Sequence, residues 1–156
     1  MPTLESLLHE SQKVLGEFLA AIHAERQCLQ GSGISNLPEV TARKSALATR
    51  LADLDTQRDA ALSAKGQAAG RKGIDAWLKS LSPASGREPR AAWNSILERA
   101  AEAKRENDVN GKLIAARLQQ NQQALGVLLG ETGDAGTYGA DGQHDTPSGR
   151  RTLGSA

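Results

Sequence analysis

The sequence is poor in the residues from which active sites, disulfide frameworks and membrane spans are built. It has one cysteine, Cys28, one tyrosine, one phenylalanine, two tryptophans and three histidines in 156 residues. A lone cysteine excludes an intramolecular disulfide and fits a reducing compartment. Cys28 has no second ligand at metal-binding spacing. His9 and His23 are 14 residues apart on one expected helix, about 21 Å along its axis, and cannot share a metal; His144 lies in the C-terminal tail. No glycine-rich loop precedes a Lys-Ser or Lys-Thr pair, so there is no phosphate cradle. The stretch Asp134–Asp145 has the length of a calcium loop, but its third and fifth places are Gly136 and Tyr138, which bring no carboxylate or amide oxygen. With no convergent titratable residues the chain is expected not to be an enzyme, and to need no cofactor or metal.

Charge of one sign is also missing. Nineteen Lys and Arg against eighteen Asp and Glu leave a net charge of about +1, which predicts no nucleic-acid or anionic-membrane partner. No run approaches the roughly 18 apolar residues of a membrane span, and none is expected to insert. The start Met1-Pro-Thr-Leu-Glu-Ser6 lacks a basic region and a continuous apolar stretch, so no signal peptide is expected. A soluble, cytoplasmic protein is the expectation.

What the chain does have is helical periodicity in alanine and leucine. Leu8, Leu15, Ile22 and Leu29 recur every seven residues, with Leu4 and Phe18 between them. After Gly31-Ser-Gly-Ile-Ser-Asn36, a second row follows: Leu37, Val40, Leu47, Leu51, Leu54 and Ala61. Both follow the three-four spacing of a coiled-coil seam, and neither helix can bury its seam alone. An antiparallel hairpin folded near residue 34 results. Charged residues interrupt the seam. Folding there sets Glu25 opposite Arg43 with Lys44 one step on, and Arg58 opposite Glu10, which predicts ion pairs that help fix register. The other reading is that these long side chains snorkel to water at the seam's edge.

Four helices are expected, over residues 3–30, 37–65, 71–81 and 88–129. Thr3 starts the first, Gly31 and Gly33 end it, and Asn36 caps the second with Pro38 in its first turn. Gly66, Gly70 and Gly73 mark a break; Ile74, Trp77, Leu78 and Leu81 form one face of a short third helix. The last helix carries Trp93, Ile96, Leu97, Ala100, Ile114, Leu118, Leu125, Leu128 and Leu129, interrupted by Asn107, Asn110, Gly111 and Asn121. The fold class is all-α: an elongated antiparallel hairpin packed with a long C-terminal helix as an up-down bundle. Residues 1–130 form the helical domain. From residue 131 to 156 glycine is frequent and apolar residues few, which predicts a tail disordered in isolation.

Two features have no purely structural motive. Asparagines in a helix are unfavourable unless their amides find partners. Gly111 beside Asn107 and Asn110 permits close approach of another helix or backbone, so this patch is either a contact site or an indifferent, partly solvated stretch. Tyr138, a lone aromatic among glycines, is either idle or an anchor for a partner.

The chain resembles the FlgN family of flagellar export chaperones over nearly its whole length. The resemblance is carried by Glu25 and Leu29; Lys44, Leu47, Leu51, Leu54 and Arg58; Trp93; Asn107, Asn110-Gly111, Leu113 and Ile114; and Tyr138-Gly-Ala-Asp-Gly142 with Gly149-Arg150. It implies a cytoplasmic type III export chaperone that binds the hook–filament junction proteins FlgK and FlgL, keeps them secretion-competent and delivers them to the export gate protein FlhA. It places substrate binding in the C-terminal part and gate docking on a C-terminal tyrosine, here Tyr138. The glycine-rich tail departs from a preformed substrate-binding helix in that stretch. A chaperone needs a face for an amphipathic helix with anchors three and four apart. The candidate substrate-binding residues are Asn107, Asn110, Gly111, Ile114, Leu118, Leu125, Leu128 and Leu129. The same leucines could instead pack in the protein's own core or across a homodimer. The alternative function is a structural coiled-coil or adaptor protein without an export role.

Overall fold

A computed structural model describes residues 1–31 and 33–130, and the backbone of residues 131–135. The described residues form four helices and no strand: α1 (Leu4–Gln30), α2 (Leu37–Ala64), α3 (Gly70–Ser80) and α4 (Arg87–Ala135). A single 3₁₀ turn, Ile34–Asn36, joins α1 to α2. The chain divides into two compact units, Met1–Ile114 and a second beginning at Ala115. The first contains the whole hydrophobic core described below.

The sequence makes α1 the centre of the first unit. Three neighbouring columns of seven-residue spacing run along it: Leu4, Ser11, Phe18, Glu25; Leu7, Val14, Ala21, Cys28; and Leu8, Leu15, Ile22, Leu29. All but Phe18, which is half-buried, are buried. A face this wide exceeds the stripe needed to meet one partner helix. It is covered on two sides. Leu7 and Val14 pack with Leu54 of α2, with Leu47, Leu51 and Ala61 around them. Leu4, Leu8, Leu15, Leu19 and Ile22 pack with Leu62, with Ile74, Trp77 and Leu78 of α3, and with Trp93, Ile96 and Ala103 of α4. By contrast α2 fully buries only Leu54 and Leu62. The two helices of the hairpin are therefore unequal: α1 is a core helix and α2 a cover.

Ser11 and Glu25, one polar residue near each end of the middle column, meet the two cations of α2. Lys44 Nζ lies 2.8 Å from each carboxylate oxygen of Glu25. Arg58 Nη1 donates to Ser11 Oγ at 3.0 Å. Both contacts centre the hairpin between residues 34 and 35, so that Glu25 pairs with Lys44, while Arg43, expected directly opposite Glu25, is exposed. The expected Glu10–Arg58 pair does not form. Glu10 faces Arg50 at 3.7 Å instead, and Arg58 pairs with Asp55 on its own helix and lies over the Trp93 ring, 5.8 Å from its centroid. One residue of shift turns a side chain by about 100° around a helix, which carries Arg58 from the rim position opposite Glu10 to the interior position opposite Ser11. There its guanidinium is desolvated, and burial lowers its pKa, partly countered by Asp59. Its Nε has no hydrogen-bond partner among the described residues.

Local signals set the ends. Thr3 caps α1 from an extended backbone and accepts the Ser6 N–H at 3.2 Å. Asn36, expected to cap α2, does not: it lies in the 3₁₀ turn with φ −88° and ψ −5° and makes no cap bond. A capping side chain needs the extended backbone that this turn denies it. The break after α2 is built from glycines. Gly66 and Gly70 both adopt φ of +72°, and the Asp59 carboxylate accepts the Gly70 N–H at 2.8 Å. Gly73 is pressed on the preceding loop so closely that a Cβ there would lie 1.6 Å from the Ala68 carbonyl oxygen. Across the next loop, Arg90 of α4 donates to the Leu78 and Leu81 carbonyls, closing the C-terminus of α3. Trp93 Nε1 donates to Asp75 Oδ1 at 3.1 Å. Ala100, expected on the buried row of α4, is exposed, and the row is continued by Ala103. The helix runs to Ala135 rather than ending at Leu129. Glycine lowers helix stability by about 1 kcal/mol relative to alanine without forbidding the conformation, so Gly126 and Gly130 do not stop it. The tail is expected from residue 131; residues 131–135 instead continue α4, and residues 136–156 lie outside the described residues.

Candidate functional site

Past Ala103 the character of α4 changes from apolar to amide and charge. Asn110 is fully buried, and both ends of its amide are used inside the protein. Its Nδ2 donates to the Ile22 carbonyl at 2.8 Å and to Glu25 Oε1 at 2.9 Å, and its Oδ1 accepts from Arg26 Nε at 3.0 Å. Glu25, 1% exposed, thus receives Lys44 from α2 and Asn110 from α4. Lys44 also donates to Asn107 Oδ1 at 3.0 Å. One turn before Asn110, Glu106 pairs with Arg26 at 2.5 Å, has His23 at 4.0 Å, and gives its carbonyl to Arg26 Nη2 at 3.0 Å. Three helices therefore meet at one connected polar cluster, with the carboxylate at its centre neutralised by Lys44. A buried carboxylate is tolerated only when paired and hydrogen-bonded, and Glu25 meets both conditions.

This arrangement explains why asparagine stands mid-helix at 107 and 110. It also separates the candidate residues. Asn110 is an internal bracket with no surface of its own. Asn107 is exposed and touches Lys44 through its oxygen. Among the described residues Gly111 does not mark a close approach, because a Cβ added there meets nothing within 4 Å. Ile114 is 45% exposed. In the second unit, Leu118 and Leu125 are 57% and 58% exposed, and Leu128 and Leu129 58% and 70%. Leu118, Leu125 and Leu129 are separated by seven and four residues, so they share one face of the helix, with Leu128 beside it. Such spacing suits a helix-in-groove or helix-on-helix contact. Tyr138 lies outside the described residues.

Two participants were not legible beforehand. Arg26 ties Asn110 to Glu106, but on the sequence it is only the residue after Glu25, with no spacing that singles it out. Val127, 63% exposed, adds an apolar side chain on another side of the second unit's helix; it breaks the three-four row and so escapes a periodicity search. Among the described residues no group of three or more His, Cys, Asp and Glu could hold a metal ion, and no helix is long and apolar enough to cross a membrane. Cys28 is buried on α1 against the turn at Gly33.

Comparison with known proteins matches residues 1–146 to the family described as FlgN protein. Two relatives carry the name flagella synthesis protein FlgN, one from Salmonella typhimurium and one from Salmonella typhi. Each is 30% identical to this chain over 149 residues, covering 92% of the chain and 91% of the relative. No solved structure matches.

Proposed function

The chain belongs to the FlgN family, and from that premise we propose that it is a cytoplasmic flagellar export chaperone. In this reading it binds the hook–filament junction proteins FlgK and FlgL, keeps them competent for secretion and delivers them to the export gate protein FlhA. The relatives' name, flagella synthesis protein, supports a role in building the flagellum. The observation that carries the rest is the exposed leucine face of the second unit's helix, Leu118 and Leu125 with Leu128 and Leu129. Monomeric proteins seldom leave an ordered helix with several large apolar side chains in water, and such faces mark interaction sites. An amphipathic helix from the export substrate, with its own anchors three and four apart, is the complementary shape. The reaction is association only: the chaperone covers the substrate helix and releases it at the gate, where Tyr138 is the proposed docking anchor.

Isothermal titration of the full chain with C-terminal segments of FlgK and of FlgL tests this. Saturable binding to either is expected, and truncation after Leu118 should abolish it. Unchanged affinity of the truncated chain would refute the site. No binding of the full chain to either subunit would refute the chaperone reading. Separately, Tyr138→Ala should weaken binding to the cytoplasmic part of FlhA while leaving FlgK binding and helical content unchanged.

A further inference from the structure

We propose that residues 104–114 of α4 are a releasable strap, closed on the hairpin by the Asn110 cluster, whose opening precedes engagement of a partner on this part of the helix. The proposal rests on the partner-binding reading given above.

The reasoning starts from how α4 is attached. Trp93, Ile96 and Ala103 belong to the buried apolar cluster, and Ala103 is the last residue of α4 to do so. Beyond it, attachment passes to hydrogen bonds and ion pairs: Glu106 with Arg26, Asn107 with Lys44, and Asn110 with Ile22, Glu25 and Arg26. The two modes respond differently to separation. Apolar surface pulled apart loses its whole driving force to water. Polar groups pulled apart regain hydrogen bonds from water, so the net loss per bond is small. The segment is thus joined by interactions that water can replace, next to a segment joined by interactions that it cannot. Local opening is expected to divide at that junction.

The second step is accessibility. Asn110 is completely buried and fully bonded, so no partner can reach it while the cluster is closed. Release frees the amides of Asn107 and Asn110 beside Ile114, which is already 45% exposed, converting an internal bracket into part of a binding face. Glu25 and Lys44 remain paired on the hairpin when the strap leaves, which keeps the buried charge compensated in the open state. A partner that engages this face selects the open state, and its apparent affinity is reduced by the closed fraction.

Hydrogen exchange on the full chain tests the strap directly, with Arg26→Ala as the perturbation. Arg26 lies on α1, outside the strap, and its side chain is largely but not fully buried. In the unaltered protein, amides of 104–114 should exchange at least tenfold faster than those of 93–103. Arg26→Ala should accelerate 104–114 by a further tenfold while leaving 8–22 and 93–103 within twofold. It should also tighten binding of a FlgK C-terminal peptide about threefold or more. Uniform protection from 93 to 114, or acceleration spread equally over all helices, would overturn the strap. Weakened peptide binding with faster exchange would overturn its coupling to the partner. If 104–114 opens as described and no FlgK or FlgL segment binds, the strap stands and the partner reading fails.

Discussion

The Glu25–Lys44 pair can be dissected by a double-mutant cycle whose asymmetry follows from the geometry. Among the described residues Lys44 is the one cation bonded to Glu25, whose side chain is 1% exposed, and Lys44→Met removes it. Among those residues the carboxylate then keeps one donor, the Asn110 amide. Breaking a buried pair from one side typically costs 3–5 kcal/mol, because the remaining charge is uncompensated. The Lys44 side chain is 19% exposed, so its removal lets some water approach, and we expect about 3 kcal/mol. Glu25→Leu should cost less, about 1–2 kcal/mol: the ammonium retains Asn107 as an acceptor and can snorkel outward, and Asn110 retains the Ile22 carbonyl. The double variant Glu25→Leu/Lys44→Met replaces the pair with apolar groups of similar size and should lie within about 1 kcal/mol of the unaltered protein. The coupling energy is then about 4–5 kcal/mol in favour of the pair. Urea unfolding followed by far-ultraviolet circular dichroism measures all four proteins. Equal m-values are required for the comparison. If Lys44→Met costs under 0.5 kcal/mol and the cycle closes additively, Lys44 does not compensate a buried carboxylate, and the account of the three-helix cluster is wrong.

Two glycines give opposite expectations from the same substitution. Gly73→Ala drives a Cβ into the Ala68 carbonyl, 1.6 Å away, and should destabilise the first unit by about 2–4 kcal/mol through displacement of α3, read as a lowered urea midpoint with unchanged slope. Gly111→Ala meets open space and should stabilise α4 by roughly 0.5–1 kcal/mol; if a partner's backbone seats on Gly111, the same variant will bind the FlgK segment more weakly while being more stable. Trp93→Ala removes a core aromatic that also bonds Asp75 and underlies Arg58, and should cost about 3–5 kcal/mol by the same unfolding assay.

The hairpin was legible because its turn is short and its apolar spacing regular: two sequence features placed the midpoint within half a residue, close enough to set Glu25 against Arg43 or Lys44. Arg58 shows the limit. The same register error of one residue is invisible in a list of opposed charges but rotates a side chain by a quarter of a turn or more, and the buried position beside Ser11 won over the rim position beside Glu10. The central place of α1 was present in the sequence as the column Leu7, Val14, Ala21, Cys28, yet Ala21 and Cys28 are small and add little apolar area, so the column escapes a search for leucine spacing. The asparagines announced that they needed partners without naming them. Arg26 and Glu25 are 84 and 85 residues from Asn110, and Lys44 is 63 from Asn107, pairings set by tertiary packing and not by any local spacing. Gly111 was misleading for a related reason: permission for close approach is not the same as an approach.

Those long-range amide bonds bear on why a chain of this kind uses asparagine at all. An apolar residue at 110 would meet Glu25 with nothing to offer its carboxylate, and an apolar pair at 25 and 110 would extend the core cluster from Ala103 onward. That continuation would attach α4 more firmly, by an interaction that water cannot replace. The polar solution gives position without permanence. The amide fits one register only, since Asn110 must reach the Ile22 carbonyl, Glu25 and Arg26 at once, and each bond can be exchanged for one to water at small net loss. A protein that must hold its helix in a defined place and also present it to another chain is better served by that combination than by a continuous apolar seam. The consequence is measurable: Asn110→Leu combined with Glu25→Leu and Lys44→Met, which removes the buried pair whole, should raise the urea midpoint or leave it unchanged, slow exchange of amides 104–114, and lower the affinity for the FlgK segment. A stabilised triple variant that binds with full affinity would show that the polar cluster serves packing alone.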